Sequence, residues 1–145
     1  MKRFFDLILA IILVIPLFIA MVIIAVFIYL TSKGPVLYWS DRIGMNNTIF
    51  KMPKFRSMRI ETPDIPSHLL KNPDSYLSPV GSFLRHSSLD ELPQLWSILI
   101  GKMSFVGPRP ALFNQKDLKE MRTSLKIHQI KPGVTGLAQI EGRDN

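Results

Sequence analysis

The chain has 145 residues, no cysteine and a formal charge of +7. That length allows one domain of ordinary size, and the lack of thiols excludes disulfides, thiolate metal sites and a cysteine nucleophile. The positive balance suits an anionic partner, but the basic residues are scattered and do not interleave with aromatics, which argues against nucleic acid as that partner.

No charged residue occurs from Leu7 to Leu30. As a helix rising about 1.5 Å per residue, this run is long enough to cross a hydrocarbon core of about 30 Å. It is too long for the apolar part of a signal peptide, and Thr31-Ser32-Lys33-Gly34-Pro35 offers no small-x-small cleavage site. Two features argue against a plain span. Pro16 removes a backbone donor and clashes with the preceding turn, so a kink is expected there. Lys2 and Arg3 precede the run, while Lys33, Arg42, Lys51, Lys54 and Arg56 follow it, so the positive-inside rule draws both ends toward the cytoplasm. A helix bent at Pro16 that enters and leaves by one face satisfies both ends; a kinked span is the alternative. Asp6 is expected at interface depth, paired with Lys2 or Arg3.

Gly34-Pro35 ends the helix. Residues 36–39 read as a short strand, 42–47 as a turn, and 48–52 as a second strand leading into Lys54-Phe55-Arg56-Ser57-Met58. Prolines at 63, 66, 73 and 79 deny long helices between residues 61 and 79 and leave a loop with one helical turn near 67–71. Order restarts over 81–85. A helix over 88–99 is stopped by Gly101, and Gly107-Pro108-Arg109-Pro110 forms a rigid turn. A polar helix over 114–126, a tight loop over 131–136 and a strand over 137–140 complete the chain. The expected fold class is α+β: a membrane helix, then a small, mostly helical domain with short strands.

The segment Ser87-Ser88-Leu89-Asp90-Glu91-Leu92-Pro93-Gln94 has a structural reading and a chemical one. Ser88 and Glu91 have capping-box spacing, and acids in a first turn suit the helix dipole. Chemically, two adjacent carboxylates at a helix start are expected to stay ionised in the local field. An ionised Asp is a competent nucleophile toward phosphorus, and two carboxylates can hold Mg²⁺ while leaving positions for a diphosphate. Arg85 lies just before the pair, and Arg109 is pinned between two prolines. Lys54, Arg56, Lys131 and Arg143 sit in or beside other glycine- or proline-marked segments. Each alone is an ordinary surface charge; jointly they resemble a phosphate cradle. His68, His86 and His128 are dispersed without paired ligand spacing. Nucleophile-elbow, Walker and dinucleotide motifs are absent.

The blocks occur in a distinctive order. Lys2-Arg3 with Asp6, Gly34-Pro35-Val36, Arg42-Ile43-Gly44, residues 54–58, Ser88 to Leu95, Met103 to Pro110, and Lys131 to Gln139 with Gly142-Arg143 together resemble the bacterial sugar transferases, the monotopic phosphoglycosyl transferases. The resemblance runs from residue 2 to residue 143 and implies a re-entrant membrane helix over residues 1–33 and a cytoplasmic catalytic domain over 34–145. It implies a ping-pong reaction at the cytoplasmic face of the bacterial inner membrane, in surface glycan synthesis. Asp90 would attack the β-phosphate of a UDP-sugar, release UMP and pass the sugar phosphate to polyprenyl phosphate. Asp90 and Glu91 would handle Mg²⁺, and Arg85 and Arg109 would face phosphate. The inner-membrane lipid is a further partner, and a homo-oligomer is compatible with the reading.

Three departures bear on this expectation. Ile15 stands where the family usually has Ser before the proline, and Lys102 stands where it usually has Asp. The chain ends at Asn145, short of the further helices family members normally carry. That last point keeps open the alternative of a catalytically inactive membrane adaptor that retains the fold.

Overall fold

The computed structural model describes residues 1–63, 71–137 and 140. Helix α1 (Lys2–Thr31) keeps its helical assignment across Pro16. Its C-terminal turn closes with Ser32 N–H donating to Ile28 O at 2.9 Å and Thr31 Oγ1 donating to Phe27 O at 2.6 Å. Much of its apolar surface is exposed, including Ile11, Ile15, Phe18, Ile19 and Phe27. By length and composition α1 could cross a membrane.

Strands β1 (Leu37–Ile43) and β2 (Ile49–Phe55) pair in a two-stranded sheet. Between them Asn46 and Asn47 adopt positive φ of 55° and 58°, a conformation that asparagine tolerates better than most residues. Both strands run further than the sequence pattern suggested: β1 takes in Asp41-Arg42-Ile43, and β2 continues through Lys54 and Phe55. Helices α2 (Gly81–His86), α3 (Gln94–Leu99) and α4 (Lys116–Ser124) follow. Strands β3 (Ser104–Val106) and β4 (Gly133–Thr135) pair in parallel, with Ser104 opposite Gly133 and Val106 opposite Thr135. A side chain on Gly133 would place its Cβ 2.1 Å from Gly107 N, so this close approach of two backbones requires glycine.

The expected helix over 88–99 is two pieces. Ser88 is left-handed at φ 57°, Leu89–Glu91 form a 3₁₀ turn, and α3 starts only at Gln94. Pro93, which cannot donate to a helical ladder, sits immediately before α3, where that loss is tolerated. Ser88 makes no side-chain cap bond, so the expected capping box is not formed. The expected strand over 137–140 is also corrected: Leu137 and Ile140 are helical, and residues 138 and 139 lie outside the described set. So does most of the helical turn expected at 67–71.

The chain divides into two compact units. One comprises Met1–Ile15, Trp39–Pro53 and Gln94–Asn145; the other comprises Pro16–Tyr38 and Lys54–Pro93. In the second unit the core is Ile28, Phe55 and Leu84. Met21, Ile24 and Ala25 pack against it from α1, at the three- and four-residue spacing that puts side chains on one helical face.

In the first unit, the N-terminal turn of α1 is tied down by polar contacts. Asp6 is only 4% exposed and accepts from Ser104 Oγ at 2.9 Å and Phe105 N at 3.2 Å. The Arg3 guanidinium donates to the carbonyls of Ile98 and Leu99 at the end of α3, and Ile98 O also accepts from Gly101 N–H at 3.0 Å. Lys2 Nζ donates to Val106 O at 2.8 Å. Asp6 therefore pairs with the β3 segment and not with Lys2 or Arg3 as expected. The two basic side chains find backbone carbonyls instead.

Candidate active site

In the second unit, Asp90 and Glu91 occupy the 3₁₀ turn that follows the left-handed Ser88. The turn is closed by Glu91 N–H donating to Ser88 O at 3.2 Å and Leu92 N–H donating to Leu89 O at 3.3 Å. Leu89 and Leu92 pack on the Ile28–Phe55–Leu84 core, so the apolar positions on either side of the dyad fix its backbone. Asp90 is buried at 8% exposure.

Lys54, at the end of β2, donates from Nζ to Glu91 Oε1 at 2.8 Å, and both side chains are largely buried. Arg85, in the last turn of α2, donates from Nε to Ser57 Oγ at 3.1 Å and contacts Met58 Sδ at 3.1 Å. The segment from Lys54 to Met58 thus supports the site twice: its lysine pairs with one acid, and its Ser-Met end orients the neighbouring arginine. The close packing of α2 on this segment depends on Gly81, where a Cβ would lie 1.9 Å from Ser57 O.

The electrostatics of Asp90 differ from the sequence expectation. Burial raises its pKa above the ordinary 3.8; Lys54 opposes this, Glu91 adds to the rise, and Arg85 and the residue's own backbone N–H lower it. The net direction is upward. Desolvation disfavours the charged form and outweighs the two cations and the short turn's field. The position in the chain suggests a lowered pKa for the dyad; for Asp90 burial reverses the direction of the shift.

Of the other expected phosphate ligands, Arg56 lies against Gly34: a Cβ on Gly34 would come within 2.3 Å of its Nη1. That nitrogen is buried without a hydrogen-bond partner among the described residues. Arg109 and Lys131 belong to the first unit. There the carbonyls around Arg109 are braced: Arg122 Nη1 donates to Arg109 O at 2.8 Å, and Arg42 Nη1 donates to Pro110 O at 3.2 Å. Ile43 N–H donates to Ala111 O at 2.9 Å, which ties the Pro-Arg-Pro turn to β1. Lys131 leads into β4, and its carbonyl lies against Gly107. Arg143 lies outside the described residues. Sequence reasoning missed Ser57 and Met58 as supports for Arg85, and Arg42 and Arg122 as supports for Arg109. The first two lay inside a block already singled out; nothing local marked Arg122.

Among the described residues no cluster of three or more His, Asp or Glu side chains could hold a metal by itself. Asp90 and Glu91 supply a carboxylate pair. Such a pair fits Mg²⁺, which usually takes one or two protein carboxylates and completes its shell with water and substrate phosphate.

The sequence matches the bacterial sugar transferase family over residues 1–145. It is 42% identical over 144 residues to a UDP-glucose:undecaprenyl-phosphate glucose-1-phosphate transferase of Klebsiella pneumoniae, covering 97% of this chain and 31% of that protein. A protein with the same description from Xanthomonas campestris pv. campestris is 43% identical over 145 residues, covering 97% of this chain and 30% of that one. The exopolysaccharide production protein PSS of Rhizobium leguminosarum bv. phaseoli is 36% identical over 149 residues, covering 98% of this chain and 74% of that protein. The chain thus spans about a third of the length of the Klebsiella and Xanthomonas relatives.

Proposed function

The chain belongs to the bacterial sugar transferase family, and on that footing we propose that it transfers a sugar-1-phosphate from a UDP-sugar to polyprenyl phosphate, with Asp90 as nucleophile. The observation that carries this reading is the constellation in the second unit: a buried Asp90, an adjacent Glu91 paired with Lys54, and Arg85 oriented by Ser57.

In the first step an Asp90 carboxylate oxygen forms a bond to the β-phosphorus. The bond from that phosphorus to the bridging oxygen breaks, and UMP leaves with the electron pair. The sugar phosphate is then held on Asp90 as an acyl phosphate. In the second step an oxygen of polyprenyl phosphate attacks the same phosphorus, the Asp90 oxygen–phosphorus bond breaks, and a polyprenyl diphosphate sugar results. A raised Asp90 pKa reflects an anion poorly solvated by its surroundings, which favours attack once the carboxylate is ionised. Arg85 supplies the forked donor geometry suited to phosphate oxygens. Asp90 and Glu91 would hold Mg²⁺, which when bound offsets the diphosphate charge. Arg109 and Lys131 are assigned to phosphate binding as well.

The same reading places α1 in the cytoplasmic membrane as a re-entrant helix with the remaining chain at the cytoplasmic face. Two observations support it. Near its start, α1 is bonded to residues 98–106 through Arg3, Asp6 and Lys2. Toward its end it packs on Phe55 and Leu84. Segments that follow the helix in sequence therefore engage both of its halves.

The test is UMP release from a panel of UDP-sugars with Mg²⁺ and polyprenyl phosphate, run on the wild type and on Asp90→Asn. Release by the wild type, abolished in the variant, is expected. Equal turnover by both would remove Asp90 from the mechanism, and no release with any UDP-sugar would favour the inactive adaptor.

A further inference from the structure

Helix α3 has its polarity inverted. Its two polar side chains, Gln94 and Ser97, are buried together with Leu95 and Ile98. Its outward face instead carries Trp96, 55% exposed, and the helical ladder continues from there: Ile100 N–H donates to Trp96 O at 3.0 Å. Ile100 is itself 48% exposed. A spacing of four residues sets the two large apolar side chains on one face. A surface helix of a soluble domain turns its polar residues outward, and one that is apolar on its outer face as well belongs against another apolar medium.

The place of this face in the first unit says what that medium is. The end of α3 lies beside the first turn of α1: Arg3 donates to the carbonyls of Ile98 and Leu99, and a Cβ on Gly101 would lie 3.3 Å from Arg3 Nη2. On that first turn Phe4, Phe5 and Ile8 are exposed too. Of the charged side chains in residues 1–6 and 94–106, Lys2 and Lys102 are exposed, and the one acid, Asp6, is buried against Ser104. Exposed apolar residues flanked by lysines, at the start of a helix apolar enough to enter a bilayer, match an anionic lipid surface. A tryptophan ring, apolar with one polar edge, suits the headgroup level, and a lysine lays its stem along apolar surface while its ammonium stays among the headgroups.

We propose that Trp96 and Ile100 insert into the cytoplasmic leaflet and that Lys102 contacts its anionic headgroups, which makes α3 a second membrane contact beside α1. The inference rests on the proposed placement of α1, whose basic start lies in the headgroup layer; the Arg3 bonds then hold the end of α3 at the same depth.

The test uses Trp39→Phe, which leaves Trp96 as the one tryptophan of the chain. The protein is reconstituted into vesicles of phosphatidylcholine with phosphatidylglycerol, and flotation shows that it has entered them. Trp96 fluorescence is expected to be quenched by lipids brominated just below the headgroup and shielded from acrylamide in the water. Should Trp39→Phe melt below the parent, the difference between the parent and Trp96→Phe gives the same reading. Lys102→Glu is expected to lower the ratio of shielded to accessible Trp96 by about fivefold or more, the contribution of one lysine at an anionic surface, and to have little effect in phosphatidylcholine alone. Protein that floats with its Trp96 open to acrylamide and unquenched by brominated lipid overturns the proposal and leaves α1 in the membrane. Protein that does not float overturns the membrane placement of α1 and this proposal with it. Shielding from acrylamide without quenching by brominated lipid means that protein, such as a second copy of the chain, covers the face, and overturns the proposal as well. A Lys102→Glu effect that is absent, or equal in both lipids, overturns the headgroup contact.

Discussion

Asp90 is placed where its charge is expensive, and that cost gives a prediction separate from catalysis. Its folded pKa lies above the ordinary 3.8 because burial disfavours the anion. The folded state therefore binds the Asp90 proton more tightly than the unfolded chain does. Stability from this group is fully present below pH 3.8 and is lost as pH rises through the folded value. Above the unfolded value, and so at neutral pH, this group weighs against folding, and an uncharged isostere does not. Asp90→Asn is thus expected to melt at the same temperature as the wild type or higher at neutral pH, with any advantage shrinking as pH falls toward 3.8. A variant less stable at neutral pH would show that the carboxylate contributes net stabilising bonds. Arg109 poses the reverse question, since its backbone is braced through the carbonyls by Arg122 and Arg42. Arg109→Lys leaves those bonds in place, so a kinetic change reports on the side chain. Loss of the planar fork is expected to lower kcat/KM by about tenfold, or roughly 1.4 kcal/mol; wild-type kinetics would reduce Arg109 to a turn residue. Asp90 and Arg109 are both legible as members of motif blocks, whereas Arg122, which braces Arg109, is not. The sign of the Asp90 shift is not legible there, because it follows from burial in the folded chain.

At the scale of elements, the long apolar run and the polar helix α4 were readable because each carries its pattern over several turns. The break at residues 88–93 was harder to see. Ser88 with Glu91 has capping-box spacing, yet the left-handed Ser88 and the proline at 93 divide the segment into a 3₁₀ turn and a six-residue helix. Strands β3 and β4 have three residues each, too few for alternation to register, and their pairing depends on two glycines in contact. The charge of Asp6 stands out in the sequence but its partner does not, because Ser104 lies 98 positions away and no local rule reaches that far. That contact yields the prediction for this scale. The Asp6 carboxylate is buried and accepts from a hydroxyl and a backbone N–H. Replacing it with alanine strands both donors. Hydrogen bonds to a charged group contribute about 1.5–3 kcal/mol, so Asp6→Ala is expected to lower the unfolding free energy by roughly that amount in a denaturant titration. A loss below about 0.5 kcal/mol would mean that water replaces the carboxylate and that Arg3 and Lys2 alone fasten the helix start.

For the whole molecule, the instructive boundary is the one between Ile15 and Pro16, where α1 passes from one compact unit to the other. Residues up to Ile15 belong to one compact unit and residues from Pro16 to the other, and each half of α1 packs with a different set of later residues. This bears on membrane topology. A proline within a helix removes one ladder bond and favours a bend, and basic residues lie on both sides of the apolar run. Under the proposed re-entrant placement, Lys2 remains on the cytoplasmic side with the residues it bonds. Pro16→Leu restores the missing donor and leaves an uninterrupted apolar helix long enough to span. The Lys2-Arg3 pair resists export, and the Arg3 and Asp6 contacts with residues 98–105 hold it back further. A mixture of topologies is therefore expected, not a complete inversion. Because the chain has no cysteine, Lys2→Cys gives a single reporter for an impermeant thiol reagent applied to intact cells. Protection of the reporter in the parent, with partial labelling in the Pro16→Leu background, is the expected pattern. Adding Asp6→Ala to the Pro16→Leu variant should increase the labelled fraction, since it releases one of the bonds that oppose export. Strong labelling of the parent itself would place Lys2 outside the cell, and α1 would then be an ordinary span whose contacts with residues 98–106 could not form in the membrane.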